Sequence, residues 1–189
     1  MGTRGAALDR CNGPTRWAGA DLLSFNASNE IVSDEARIDT STLFGRASVT
    51  GPLSDRSQVR DLAVRYTAAW GSQNATSVAA FYAPMASLRI NGGTPSIGRD
   101  AITATAQEFM TAFPDMSVTM DGLLVHGDQA VYRWTLVGTN TGPGGTGRRV
   151  RISGFEVWRI GADGLIAGSE GHFDSGAYER QVTGGSRAP

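Results

Sequence analysis

Near the C-terminal end of the chain, Glu170, His172 and Asp174 occupy alternate positions. In a strand, alternation puts these residues on one face and Ser169, Gly171 and Phe173 on the other. Such a row suits proton transfer, because His172 titrates near neutrality with a carboxylate on either side. The same alternation describes a polar stripe facing solvent or a partner subunit. Glu156 is a second candidate. Its same-face neighbours in an extended segment are Ile152, Gly154, Trp158 and Ile160. A carboxyl among apolar groups has its pKa pushed up. It then stays protonated and donates to an oxyanion, or it reaches Arg133, Arg149 or Arg151 in an ordinary ion pair. Tyr66 falls on the apolar face of a helix, so its hydroxyl needs a partner inside. Trp70, Phe81, Tyr82, Phe109, Trp134 and Trp158 read singly as core. Together they suit a pocket for a flat or polycyclic ligand, with Asn91 at a strand end placed to orient a carbonyl.

The elements that position these residues follow from spacing. Val59, Leu62, Ala63, Tyr66, Ala69 and Trp70 keep the period of one buried helical face, after a capping-box pattern at Asp55 and Gln58. Asn74 is placed to cap a short helix that buries Val78, Phe81 and Tyr82 and stops at Pro84. Ala86–Asn91 reads as a strand. A third helix is expected from Asp100 to Phe113, with Ile102, Ala106, Phe109 and Phe113 inward. Strands follow at Ser117–Val125, Ala130–Gly138, Arg149–Ile160 and Leu165–Asp174, with turns at Gly127-Asp128 and Asp163-Gly164. Helices followed by an antiparallel meander imply an α+β fold.

Composition narrows the chemistry. The chain has 189 residues with 40% hydrophobic, 19% charged and a net charge of −1. That balance predicts a globular domain with no nucleic-acid or anionic-membrane footprint. All 17 basic residues are Arg, which excludes a Schiff-base or phosphate-loop lysine. Cys11 alone cannot form an internal disulfide, and with only His126 and His172 no zinc site is expected. The Gly-rich stretch 142–147 precedes a strand, which is not how a phosphate loop is built. No cofactor and no metal are expected. No apolar run is long enough to span a membrane, and the N-terminus lacks a signal-peptide pattern, so a cytoplasmic protein is expected.

Phe113-Pro114-Asp115-Met116, Gly127-Asp128, Arg133-Trp134-Thr135 and Gly138-Thr139-Asn140-Thr141-Gly142 form an ordered series. It continues through Thr146–Val150, Gly154-Phe155-Glu156, Arg159 with Asp163-Gly164, Phe173-Asp174 and Arg180-Gln181. The series, from about Asp55 to Val182, resembles the SnoaL-like polyketide cyclases of the nuclear-transport-factor-2-like superfamily. The resemblance implies a cone-like (cystatin-like) curved antiparallel sheet with roughly three helices on its concave face. It divides the chain into an N-terminal extension (1–52), a SnoaL-like domain (53–184) and a C-terminal tail (185–189).

The resemblance also implies a cofactor-free enzyme that moves a proton beside a carbonyl and closes a ring by an intramolecular aldol step. Asp174 would be its acid/base, with His172 sharing or relaying the proton. A small hydrophobic, polyketide-like or polycyclic substrate and a homodimer are implied as well. The same fold also serves as a non-catalytic ligand-binding or association module. Two departures from the family pattern are Asn140, where His is common, and Glu170, where Trp is common. A more distant likeness to ketosteroid isomerase places Tyr66 and Glu156 at its oxyanion hole and Ile90 at its base. Limonene-epoxide hydrolase would need an acid near Arg133, and Ala130–Gly138 holds none. Finally, Ile31, Glu35 and Asp39 repeat Ile166, Glu170 and Asp174 at an offset of 135. Either residues 20–50 keep the last strand of a truncated first copy, or the match is chance.

Overall fold

The apolar spacing from Val59 becomes helix α1 (Arg56–Gly71) in the computed structural model, which describes residues 56–184. Val59, Leu62, Ala63, Tyr66 and Ala69 are buried, as the period requires. The N-terminal extension with its possible extra strand, the capping residue Asp55 and the C-terminal tail lie outside the described residues. Helix α2 (Ala75–Ala79) is capped by Asn74, whose side chain accepts from the Ser77 N–H. It stops sooner than expected, because strand β1 already begins at Tyr82 and runs to Ile90. Pro84 therefore sits inside a strand. It lies where the β1 register is irregular, between Tyr82 and Ser87, a place that tolerates a missing N–H.

Strand β2 (Ser96–Ile97) leads directly into helix α3 (Gly98–Ala112), which buries Ile102, Ala106 and Met110. The meander then runs through β3 (Ser117–His126), β4 (Gln129–Thr139), β5 (Arg149–Ile160) and β6 (Ile166–Phe173). The six strands lie in the order β2-β1-β6-β5-β4-β3. All neighbouring pairs are antiparallel except β1 with β6, so the curved sheet is mixed, whereas an antiparallel sheet was expected. The α+β class stands. Helix α1 packs over β3, and α3 packs on α2 and β1.

A fourth helix was not anticipated. Helix α4 (Ser175–Thr183) begins where the last strand was expected to end. Asp174 is its N-cap and accepts from the Ala177 N–H, while Gly184 closes it in the left-handed conformation at φ 73°. Gln181 then pairs with the part of β5 that β6 does not reach. Its amide accepts from the Arg151 N–H at 2.7 Å and donates to the Arg151 carbonyl at 2.9 Å.

Candidate functional site

One pocket opens between the sheet and the helices, enclosing about 520 Å³ with its open mouth included. Trp70 of α1 and Phe109 of α3 form the helical side. Leu88 and Ile90 of β1, Val118 of β3, and Trp134 and Leu136 of β4 continue the wall, with Gly171 and Phe173 on β6. Glu156 on β5 is the one ionisable residue among the lining side chains.

Glu156 is buried, with only 7% of its surface exposed. The inward register of β5, with Ile152, Trp158 and Ile160 also buried, puts it there. The groups found on its carboxyl are hydroxyls and an indole N–H. Its Oε2 accepts from Ser169 Oγ at 2.7 Å, Trp158 Nε1 at 2.8 Å and Tyr66 Oη at 3.1 Å. The Tyr82 hydroxyl lies 3.5 Å from Oε2 and 2.9 Å from the Tyr66 hydroxyl. Among the described residues, Oε1 has a contact of 3.2 Å with Tyr66. Burial pushes the Glu156 carboxyl up, and the hydrogen bonds from Ser169, Trp158, Tyr66 and Tyr82 offset this only in part. Burial, reinforced by Glu156, also pushes the Tyr66 and Tyr82 hydroxyls well above the ordinary phenol range. Both remain neutral donors. Tyr66 packs edge-on to Trp158 with ring centroids 5.1 Å apart, and Trp158 stacks on Tyr132 at 4.7 Å, so the network is held rigidly.

The expected row on β6 divides differently. The face that meets the pocket is that of Ser169, Gly171 and Phe173, and the opposite face carries Glu170 and His172. Glu170 lies 3.7 Å from Arg89. His172 stacks on Phe155 at 5.0 Å, and partial burial lowers its pKa while Glu170 pulls the other way. Asp174 is exposed at the head of α4, 3.8 Å from Arg180. Neither His172 nor Asp174 lines the cavity, because the strand ends at Phe173 and its polar face is turned away.

Among the expected wall residues, Trp70, Phe109 and Trp134 line the pocket. Tyr82 and Trp158 lie behind it and hold Glu156. Asn91 is at the surface with φ 50°, and its side-chain oxygen accepts from the Phe173 N–H at 2.9 Å. It ties β1 to β6 and does not face a ligand. Asn140 is buried and structural too, accepting from the Thr146 N–H at 2.9 Å. Ile90, where the ketosteroid isomerase base would fall, is in the wall and brings no base.

Ser169 and Gly171 were overlooked, although the alternation that singled out Glu170 and His172 also defined their face. A Cβ at Gly171 would sit 3.7 Å from the Cγ methylene of Glu156, in ordinary contact with it. The Nε1–H of Trp134 is buried and has no hydrogen-bond partner among the described residues. No group of three or more His, Cys, Asp or Glu side chains able to hold a metal occurs among the described residues. No described helix is long and apolar enough to cross a membrane.

Comparison with known proteins agrees with the fold. The profile of the SnoaL-like domain family matches residues 63–169. The structure of TsrD from Streptomyces laurentii is 28% identical with a TM-score of 0.60, covering 68% of this chain and 96% of that one. A protein from Jannaschia sp. CCS1 named as a SnoaL-like polyketide cyclase has a TM-score of 0.62 at 19% identity, covering 72% of this chain and 100% of its own. A protein with a ketosteroid isomerase-like fold from Catenulispora acidiphila DSM 44928 has a TM-score of 0.59 at 14% identity, covering 65% of this chain and 92% of that one. The last two likenesses are in fold alone. No curated protein matches.

Proposed function

The chain belongs to the SnoaL-like domain family, and from that premise we propose a cofactor-free enzyme that moves a proton beside a carbonyl of a hydrophobic substrate, with Glu156 as its acid/base. One observation carries the reading: Glu156 is the ionisable side chain of an otherwise apolar pocket, and burial raises its pKa. A carboxyl held in that way is a stronger base once ionised than one in water, and it works nearer neutral pH. Ser169 and Trp158 hold Oε2, which leaves Oε1 to exchange the proton. Ionised Glu156 takes a proton from the carbon next to a carbonyl, and the electron pair moves into the carbonyl to give an enolate. The enolate carbon bonds to a second carbonyl of the same molecule. The alkoxide so formed recovers the proton from Glu156, and the net change is ring closure without loss or gain of atoms.

A second reading is a ligand-binding module. The three short bonds to Oε2 favour it, since a saturated carboxyl can be purely structural. Hydrogen–deuterium exchange separates the two. A hydrophobic aryl ketone such as 1-tetralone is incubated in D2O with the protein, and loss of its α-protons is followed by NMR. The enzyme reading expects exchange above background, rising with pH through an apparent pKa above the ordinary carboxylate range. Glu156→Gln should slow it by roughly 10²–10⁴-fold. Binding of the ketone with no exchange above the Gln variant selects the module.

A further inference from the structure

We propose that the outer face of the sheet, opposite the pocket, is the docking surface for an acidic segment of the same chain, residues 21–39. The proposal is independent of the chemistry in the pocket. Cross-strand pairing sets Leu124, Val131 and Val157 in one apolar row on that face, with Phe155 and His172 stacked in the row beside it. None of these side chains belongs to the core that the helices close. Val131 is nevertheless only 1% exposed, which is the exposure of a covered residue.

Charge selects the occupant. The same face carries Arg89, Arg133, Arg149, Arg151 and Arg159, and the rows of Arg133 and Arg159 border the apolar row on its two sides. Glu170 lies 3.7 Å from Arg89, Asp115 interacts with Arg149, and Asp121 is held by the Thr135 hydroxyl at 2.6 Å. Arg151 and Arg159 are exposed, with no carboxylate in ion-pair distance among the described residues. A second copy bound here about a two-fold axis would bring Arg toward Arg, which is repulsive. Residues 21–39 bring the opposite charge. Asp21, Glu30, Asp34, Glu35 and Asp39 stand against Arg37 alone, and Ile31, Val32 and Ile38 lie among them to meet the apolar row. The reach is sufficient. Helix α1 opens at Arg56 and packs on β3, the last strand in the sheet order. The 16 residues from 40 to 55 extend to about 50 Å, whereas six strands span about 25 Å.

Photo-crosslinking tests the docking in the full chain. Replacing Phe155 by p-benzoylphenylalanine keeps an aromatic ring on the outer face, and on illumination it bonds to whatever covers that face. The protein is illuminated as an equal mixture of isotope-labelled and unlabelled chains, and the crosslinks are located by mass spectrometry. The expected product joins position 155 to residues 21–39 of the same chain. Thr119, exposed on the same face, is the second position for the label if the first variant does not fold. Products joining labelled to unlabelled chains would seat a second copy on the face and overturn the proposal, as would the absence of any crosslink to residues 21–39. Trypsin tests the charge pairing. Cleavage after Arg37 requires the segment to be released, so its initial rate follows the open population. Cleavage after Arg16, outside the segment, is the internal reference. Replacing Arg151 and Arg159 together by Gln removes two exposed charge partners, so cleavage at Arg37 relative to Arg16 should rise by about 2- to 30-fold. An unchanged ratio overturns docking by charge.

Discussion

Asp174, just past the end of β6, and Glu156, within β5, are both carboxylic acids, and their surroundings give them different work. Asp174 is exposed, caps α4 through the Ala177 N–H and faces Arg180. Glu156 is buried, with its proton affinity raised. Substitution should separate them cleanly. Asp174→Asn keeps a cap acceptor, so melting temperature and ketone exchange should stay near native. Asp174→Ala loses the cap and should cost about 0.5–2 kcal/mol, again with exchange intact. Loss of exchange in a folded Asp174→Asn protein would return Asp174 to the chemistry. Ser169→Ala acts on Glu156 from the other side. It removes the shortest bond to Oε2, and that bond favours the ionised form. The apparent pKa of exchange should therefore rise, and a fall would show that Ser169 does not control the carboxyl. Glu156 was legible in the sequence because its apolar neighbours at alternate positions announce burial. Asp174 misled, since alternation says which residues share a face and not where the strand stops. The Asp174–Gly184 frame of a capped helix was the available signal.

Elements were legible wherever the determinant is local. The period of α1, the Asn74 cap and the two tight turns fixed most boundaries. The pairing of β1 with β6 is non-local, with four strands and a helix of chain between its partners, so no pattern within either segment specifies it. The same limit explains Pro84. It reads as a helix stop, yet an irregular register gives it a place inside β1. Among the strand glycines, Gly154 of the long strand β5 carries the most demanding requirement. A Cβ there would approach the His172 carbonyl oxygen to 2.5 Å and the Trp134 ring to 2.6 Å. The carbonyl is backbone and cannot rotate aside. Gly154→Ala should therefore force β5 from β6 or the indole from its seat, with a loss of roughly 1–3 kcal/mol. Thermal denaturation checks the stability, and a change in Trp fluorescence reports the indole. A variant with native melting temperature and spectrum would show that the sheet yields there freely.

At the scale of the whole molecule, the buried carboxyl gives folding a dependence on pH opposite to the usual one. Most acids in proteins have lowered pKa values, and Asp115 is one. Hydrogen bonds from the Thr139 N–H and hydroxyl lower it, so its stabilisation is lost as pH falls. His172, lowered mainly by burial, works in the same sense, because protonation of the unfolded chain opposes folding as pH drops. Glu156 is raised. Below the ordinary glutamate range both folded and unfolded chains hold its proton, and its contribution is complete. As pH climbs through that range the unfolded chain ionises first, while the folded chain keeps a neutral group in the network. Stability therefore falls with rising pH until the folded carboxyl ionises too, and then levels off. The three groups together give a dome. Glu156→Gln isolates the alkaline side, because Gln is neutral at every pH. Its oxygen can still accept from Ser169 and Trp158, and its amide can donate to Tyr66. Urea denaturation of both proteins from pH 4 to 9 should show the native protein losing stability relative to the variant as pH rises from the carboxylate range. The acid sides of the two curves should run parallel. Curves parallel over the whole range would mean that Glu156 ionises normally, and with that the raised basicity on which its catalytic role depends would be gone.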